Sequence, residues 1–407
     1  MASGPHVAPE CTAHATSLLG CLHTGNLPKL HISISLKQRF VRYTATRTPI
    51  VRNRFGNKIW HSNCIRMQHP LVCQLAMKFD LSAMRSRWVP YAELQPCTTA
   101  FVDARTPGSD RKENFTIIGP GVAENPDQHV HISIPHGFNI GGARQPPGCV
   151  NSQHSHETAE VFIVHSGQWR FMSGEHGEDG EVHLGPGDVI SLPTHLFRGF
   201  ENIGTETGFM FAVLGGDDPG RVTWAPYVFE QAALHGLVLL ENGSLLDTTQ
   251  SAVPAGAKLM PVTAAADIAL LQRLKSADLE NCVVRAGAAP TANSWHEQPL
   301  IGAANAALNV AAGPLDWPHG FVLRRIDCQA GASSQSSARV EAEVILMHQG
   351  ELLMEWADNS LRLGPGDTLT VPKGLVHRFT NPGVANAVAF VVRGGDYPDL
   401  CRAKTLA

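Results

Sequence analysis

Three side chains that bind metal ions well lie within seven positions of one short stretch. His154, His156 and Glu160 belong to the segment QHSHETAEVF, residues 153–162. Imidazole nitrogens and carboxylate oxygens are common ligands of divalent transition metals. Two histidines with one carboxylate leave coordination positions open, as in the non-haem Fe(II) oxygenases. The pattern therefore predicts a catalytic metal site, and the alternative is a vestigial site in a structural domain.

The spacing of these ligands constrains the backbone. On a β-strand alternate residues share a face, so His154 and His156 point the same way, about 6.6 Å apart. Glu160 has the same parity, but a straight strand would carry it about 20 Å from His154. Ligands of a shared ion lie about 2 Å from it. The chain must therefore turn after His156, and Glu160 must begin the next strand.

An internal repeat surrounds this segment. A four-residue difference in length between Gly167 and Gly187 reconciles two offsets, 183 residues before it and 179 after it. The repeat predicts two copies of a domain of roughly a hundred residues. Four stretches occur twice: PHGF (135–138, 318–321), EVFIVHSG and EVILMHQG (160–167, 343–350), LGPGD (184–188, 363–367), and GGDDP and GGDYP (215–219, 394–398).

Each copy has the pattern of β-structure. Short apolar runs are separated by Gly, Pro and Asn at intervals typical of a β-sandwich or barrel. Between the copies, residues 225–236 predict a short helix, and residues 237–248 predict a hairpin about Asn242-Gly243. Residues 263–275 predict an amphipathic helix, because one helical face would carry Ala264, Ile268, Leu271 and Leu274.

Both copies resemble the cupin superfamily through its two motifs. The first motif, G-x5-H-x-H-x3,4-E-x6-G, is filled in the first copy by Gly148, His154, His156, Glu160 and Gly167. The second, G-x5-P-x-G-x2-H-x3-N, is matched there by Gly187, Pro193 and Asn202, with His195 at the glycine and Arg198 at the fourth ligand. In the second copy the second motif is complete, with Gly366, Pro372, Gly374, His377 and Asn381. Its first motif keeps Gly331, Glu343 and Gly350, but His-x-His has become Ser337-x-Arg339.

The resemblance covers roughly residues 115–220 and 300–400 and implies an all-β bicupin with two tandem antiparallel jelly-roll barrels. It also implies a metal inside the barrel, bound through the motif histidines and glutamate. We expect a metal-binding N-terminal barrel at 77–230 and a linker with short helices and a hairpin at 231–290. A degenerate C-terminal barrel follows at 291–407, and we expect it to be structural or dimerising.

Arg198 cannot replace the missing ligand, because a guanidinium group has no lone pair and stays protonated. Its planar fork suits a carboxylate or enolate, so we expect Arg198 to orient an anionic substrate beside the metal. The alternative is that it faces outward or pairs with Glu201. His195 is a candidate substitute ligand, although its odd offset from position 198 favours the opposite strand face. His136 is a candidate substrate contact, with a role in the fold as its alternative.

These residues predict a metal-dependent oxidoreductase with a single His/His/Glu site, and first a dioxygenase of a small anionic, chelating substrate. The divalent ion would be Fe(II), with Mn, Ni, Zn or Cu as alternatives. Glu160 would accept a proton if it loosens from the ion, and Phe162 would contact the substrate. Two other functions stay open: a redox-silent isomerase or lyase, and a non-catalytic bicupin that binds small molecules.

Composition limits the other partners. No run of 18 apolar residues could span a bilayer, and no dense Lys/Arg cluster indicates nucleic-acid binding. We therefore expect a small-molecule substrate, neither membrane nor nucleic acid, and leave a homo-oligomer open. The five cysteines beyond residue 76 are isolated and form no disulfide framework, which favours a reducing, cytoplasmic location.

The net charge of -4 hides an uneven distribution. Residues 1–76 contain nine Lys or Arg and one acid, Glu10, so they carry +8 and the remaining chain carries -12. We expect this basic extension to be irregular, and three interpretations stay open. It lies upstream of a natural start at Met77, it is an organellar transit peptide, or it is an ordered domain.

Overall fold

The structure is a computed structural model that describes residues 79–287 and 294–403. The basic extension at 1–76 and the expected start at Met77 lie outside the described residues.

Short strands dominate both repeats, as the turn spacing predicted. The first repeat and the segment before it contain α1 (Leu81–Arg85), β1 (Trp88–Val89), a 3-10 turn (Tyr91–Glu93), β2 (Glu113–Ile118), β3 (Val130–Ile132), β4 (Phe138–Gln145), β5 (Val150–His156), β6 (Glu160–Ser166), β7 (Trp169–Ser173), β8 (Gly180–Leu184), β9 (Val189–Leu192), β10 (Arg198–Asn202), β11 (Gly208–Gly215) and β12 (Val222–Trp224). The connecting segment contains α2 (Pro226–Leu234), β13 (Leu237–Leu239), β14 (Leu245–Asp247), α3 (Ala265–Ile268), α4 (Ser276–Glu280) and β15 (Val283–Val284). The second repeat contains β16 (Trp295–Ile301), a 3-10 turn (Ala306–Leu308), β17 (Phe321–Cys328), β18 (Ser337–Arg339), β19 (Glu343–Gln349), β20 (Leu352–Trp356), β21 (Asn359–Leu363), β22 (Thr368–Val371), β23 (Arg378–Thr380), β24 (Ala387–Gly394) and β25 (Cys401–Ala403).

Each repeat folds into a barrel of mostly antiparallel strands. The first barrel joins a seven-stranded sheet, β15-β9-β6-β11-β4-β2-β3, to a five-stranded sheet, β12-β5-β10-β7-β8. The second joins a six-stranded sheet, β1-β22-β19-β24-β17-β16, to the smaller sheets β21-β20-β23 and β18-β25. The predicted all-β class with two tandem barrels is therefore confirmed.

The strands also confirm the duplication. Strands β4 to β7 match β17 to β20 at an offset of 183 residues, where both are counted from the motif positions, and β8, β9, β11 and β12 match β21, β22, β24 and β25 at 179. The four-residue difference lies in the turn after β7, which spans 174–179, whereas the turn after β20 spans only 357–358.

The large sheets of the two barrels pack against each other. Phe115 and Phe211 of the first barrel share an apolar cluster with Leu323 and Phe390 of the second. Strand β11 is consequently buried along its whole length, since one face lines its own barrel and the other meets the partner barrel. Burial on both faces explains why GFMFAVLG is a nearly continuous apolar run.

The barrels exchange terminal strands in a reciprocal way. β1 precedes the first barrel in the chain but pairs with β22 of the second, and β15 precedes the second barrel but pairs with β9 of the first. An equivalent aspartate receives each incoming strand: Asp367 accepts from the Tyr91 N–H at 2.9 Å, and Asp188 accepts from the Ala286 N–H at 2.7 Å. The domain boundaries at residues 77, 231 and 291 stay predictions, and residues 79–93 lie on the second barrel.

Helices are few and short between the barrels. α2 and the β13–β14 hairpin occur where they were predicted, but the helix expected at 263–275 is wrong beyond its first turn, α3. The Gln272 N–H donates to the His195 carbonyl oxygen at 2.7 Å, so this segment is tied in extended form to the first barrel. No helix in the described ranges is long and apolar enough to cross a membrane.

Candidate metal centre

The three predicted ligands converge inside the first barrel. His154 and His156 end β5, the chain turns over residues 157–159, and Glu160 begins β6, as ligand spacing required. Their candidate ligand atoms lie within 4.8 Å of one another, and all three residues are buried. Within residues 79–287 and 294–403, this is the one group of three or more His, Cys, Asp or Glu side chains arranged so closely.

The hydrogen bonds of the imidazoles favour metal binding. The Nδ1 of His154 lies 2.7 Å from the Ser152 carbonyl oxygen, to which it donates, and this leaves the Nε2 lone pair free. The Nδ1 of His156 has no partner within the described structure, and its Nε2 is 3.6 Å from Glu160 Oε2. A buried imidazole without hydrogen bonds is unfavourable, and an ion bound to one of its nitrogens would supply the missing interaction.

Electrostatics keep both imidazoles neutral, which is the state that binds metals. Burial lowers the pKa of His154 and His156 well below the usual value, and the charge of Arg198 lowers both further. Burial raises the pKa of Glu160, while Arg198 opposes that shift.

Arg198 points inward, toward the predicted ligands. It begins β10 opposite His154 and is buried, with 1% of its surface exposed. Its Nη2 donates to Glu160 Oε2 at 2.7 Å, and its Nη1 donates to the His154 carbonyl oxygen at 3.3 Å. The outward alternative is wrong, since Glu201 pairs instead with Arg170 at 2.5 Å. Arg198 does not line the cavity, so the geometry assigns its fork to Glu160 rather than to direct contact with a substrate.

A small, largely apolar cavity adjoins the cluster. Its volume is about 70 Å³, and its walls include His154, His156, Glu160 and the predicted contact Phe162. Trp224 also lines it, with its ring centroid 5.3 Å from that of His154, because β12 pairs with β5 at this position. No motif marks Trp224, which is 70 residues from its neighbour in the chain.

His195 is excluded as a ligand by its backbone. Its φ is 56°, in the left-handed region, and its side chain is exposed. Gly374, the equivalent residue of the second repeat, has φ 74°, which explains why the motif specifies glycine here. Strand β10 begins only at Arg198, so strand alternation does not apply to His195.

His136 lies between the barrels and outside the cavity. Its Nδ1 is 2.6 Å from the Ile134 carbonyl oxygen, and its Nε2 is 2.5 Å from Thr370 Oγ1 of the second barrel. The alternative role in the fold therefore describes its position, and the substrate contact does not.

A buried ion pair that the motifs did not reveal supports β5. Lys112 and Asp103 have side chains that are 0% exposed and are hydrogen bonded to each other. Lys112 Nζ also donates to Asn151 Oδ1 at 2.9 Å, and Asp103 Oδ2 accepts from the Ser152 N–H at 3.1 Å. These bonds hold the residues immediately before His154.

In the second barrel, cations surround the equivalent glutamate. Glu343 accepts from Arg393 Nε and from His377 Nε2, each at 2.9 Å. Arg339, which replaces the second motif histidine, lies 3.4 Å from the same carboxylate. Among the described residues, this barrel has no group of three His, Cys, Asp or Glu side chains that could hold an ion.

Comparison with known proteins agrees with this architecture. A family model described as a cupin domain matches residues 143–214 and 325–393. No curated protein sequence matches the chain.

Solved structures with similar architecture include oxalate decarboxylases. One, described for its substrate binding mode and reaction specificity, is 12% identical, with a TM-score of 0.46, over 78% of this chain and 79% of that chain. A deletion variant of the Bacillus subtilis enzyme is 13% identical, with a TM-score of 0.45, over 76% and 77%. At this similarity, their reaction says nothing about the reaction of this chain. Two cupin-domain matches, each on one of two duplicated barrels, identify the chain as a bicupin of the cupin superfamily.

Proposed function

We propose that this bicupin is a metal-dependent enzyme whose first barrel holds one divalent ion through His154, His156 and Glu160. We further propose a dioxygenase activity on a small anionic, chelating substrate. The observation that carries the proposal is the convergence of three buried ligand atoms within 4.8 Å beside a cavity. Two histidines and one carboxylate leave room in the coordination sphere for substrate.

The balance of charge supports an anionic substrate. Arg198 and Glu160 form a neutral pair, so a divalent ion would add two positive charges to a buried site. Buried charge is unfavourable unless it is compensated, and a chelating anion would compensate it. The cavity volume of about 70 Å³ favours a small molecule.

The side chains around the site have separable roles. A divalent ion would polarise a bound anion, and Fe(II) would add redox chemistry with O₂, with Mn, Ni, Zn or Cu as alternatives. Ser152 holds the tautomer of His154, and Arg198 holds the carboxylate of Glu160. Phe162 and Trp224 exclude water from the cavity wall. Glu160 is the candidate proton acceptor, since burial raises its pKa.

Metal analysis tests the first part of the proposal. The wild-type protein purified without chelators should contain about one divalent ion per chain, and His154→Ala should contain about tenfold less. Equal and negligible metal in both proteins would refute the site. Oxygen consumption by the Fe(II)-loaded protein, with a series of small hydroxy acids and diketones, then tests the dioxygenase. Substrate turnover without oxygen consumption would favour an isomerase or lyase.

One observation favours a second candidate, a metal-free binding protein. The guanidinium of Arg198 already lies 2.7 Å from the Glu160 carboxylate, as Arg393 does from Glu343 at 2.9 Å. In that function, arginine supplies the positive charge that metal supplies elsewhere. The same metal analysis distinguishes the two candidates.

A further inference from the structure

We propose that the cavity of the second barrel binds a small organic monocarboxylate with an apolar body. This site is separate from the proposed metal centre and does not depend on it. The cavity has a volume of about 800 Å³, within the range of small-molecule sites, whereas the cavity beside the metal ligands has about 70 Å³.

Two carboxylates and three basic side chains lie together in this cavity wall. Arg393 donates from Nε to Glu343 at 2.9 Å and from Nη1 to Glu297 at 2.5 Å. Arg339 contacts the same two carboxylates at 3.4 and 3.3 Å. Burial raises the pKa of Glu343, but Arg393 and the hydrogen bond from His377 outweigh it, so that carboxylate is ionised.

The hydrogen bonds of His377 indicate a surplus positive charge. Its Nδ1 lies 3.0 Å from the Leu375 carbonyl oxygen, and its Nε2 lies 2.9 Å from Glu343 Oε1. Both partners accept hydrogen bonds and have none to donate, so both ring nitrogens must carry protons. Arg339, Arg393 and His377 then face only Glu297 and Glu343 among the ionisable carboxylates of the wall, and one positive charge is left over.

A free donor is available to take the compensating anion. Arg339 uses Nε and Nη2 on the two glutamates, while its Nη1 has no hydrogen-bond partner within the described ranges. Its side chain is 17% exposed and lines the cavity beside Ser337. A charged donor that reaches open space in an otherwise paired cluster suits a single carboxylate.

The remaining wall provides an apolar surface. Trp295 stacks on Phe379 with ring centroids 5.8 Å apart and an interplanar angle of 12°, and both residues line the cavity. Ile326 and Ile345 also line it. A carboxylate held at Arg339 would therefore place its apolar body against these side chains.

Isothermal titration calorimetry of the full chain, freed of metal with EDTA, tests the site with benzoate as probe and benzamide as its neutral counterpart. Benzoate should bind once per chain, and benzamide at least about tenfold more weakly, because the charged hydrogen bond is absent. Arg339→Gln should weaken benzoate by at least about tenfold. Arg402→Gln is the matched control, since it removes the same charge from an exposed position on β25 and should leave binding unchanged.

Three results would overturn the proposal: no benzoate binding at millimolar concentration, equal binding of benzamide, or unchanged binding by Arg339→Gln. If Arg339→Gln does not fold, Arg339→Lys keeps the charge but loses the fork and should still weaken benzoate severalfold. His154→Ala removes a proposed metal ligand and should bind benzoate normally. Loss of benzoate in that variant alone would locate the probe in the first barrel, whereas failure of the metal analysis would leave this site unaffected.

Discussion

His319 belongs to the second repeat, yet its Nε2 lies 2.6 Å from the hydroxyl of Ser191 in the first barrel. The equivalent contact joins His136 of the first repeat to Thr370 of the second barrel. Burial lowers the pKa of both histidines, so each meets its hydroxyl partner in the neutral state. The repeated PHGF motif is therefore a docking element that holds the two barrels together.

Ser191→Ala should destabilise the protein by about 1–3 kcal/mol, because it leaves a nitrogen of the buried His319 without a hydrogen bond. Urea unfolding monitored by circular dichroism measures the change. Ser251→Ala, at an exposed position between the barrels, is the control and should change stability by less than about 0.5 kcal/mol. Equal stability of the two variants would show that the contact adds nothing.

Acid should weaken the contact between the barrels. His165 and His348 meet there with ring centroids 5.6 Å apart, and burial lowers the pKa of each to about 4. Because the unfolded chain has a histidine pKa of about 6.5, it binds protons before the folded chain does as pH falls. The stability associated with these residues is thus complete above about pH 6.5 and declines toward pH 4, by at most roughly 3 kcal/mol for each histidine.

Unfolding in urea at several pH values between 7.5 and 4.5 measures this effect. His348→Gln cannot titrate in this range, so its stability should depend less steeply on pH than that of the wild type. The difference in stability between the two proteins should narrow as pH falls. Parallel pH profiles would contradict the assignment to this histidine.

Arg198→Met should separate the two roles of the buried pair. Without metal, the variant should lose about 3–5 kcal/mol, since Glu160 is left buried and unpaired. Mn²⁺ should raise its melting temperature by more than that of the wild type, because no guanidinium competes for the carboxylate. Differential scanning calorimetry with EDTA and with Mn²⁺ provides the comparison.

Arg198→Met combined with Glu160→Gln is the control for that experiment. It should recover part of the lost stability and show no stabilisation by Mn²⁺. An equal Mn²⁺ shift in wild type and Arg198→Met would mean that the arginine does not oppose the ion.

His195→Gly should leave the metal content unchanged and stabilise the fold by up to about 1 kcal/mol, because glycine adopts the left-handed backbone at position 195 without strain. Metal analysis and urea unfolding of the same sample check both expectations. A loss of metal comparable to that of His154→Ala would return His195 to the ligand set.

Local constraints account for what could be predicted. The turn between His156 and Glu160 follows from strand geometry and ligand distances, and the duplicated barrels follow from repeats that are visible in the chain. The inward position of Arg198 followed from its place in a motif. Its partner could not be predicted, because the choice between a ligand and a substrate depends on angstrom-scale distances.

Features that depend on distant parts of the chain were missed. Trp224 reaches His154 through strand pairing, and His136 reaches a barrel that begins more than a hundred residues later. Periodicity at 263–275 predicted a helix, but hydrogen bonding of Gln272 to the first barrel favoured an extended chain. In each case tertiary contacts, which leave no mark on local sequence, decided the outcome.

The exchange of β1 and β15 makes the boundary between the repeats a poor place to divide the protein. A break in the segment 288–293 would leave β1 on a fragment that lacks its partner β22, and β15 would remain on the fragment that contains β9. The C-terminal fragment would thus expose a bare sheet edge, a common cause of aggregation. Co-expressed, the two fragments should reassociate by strand complementation, since the duplicated halves have become one cooperative folding unit.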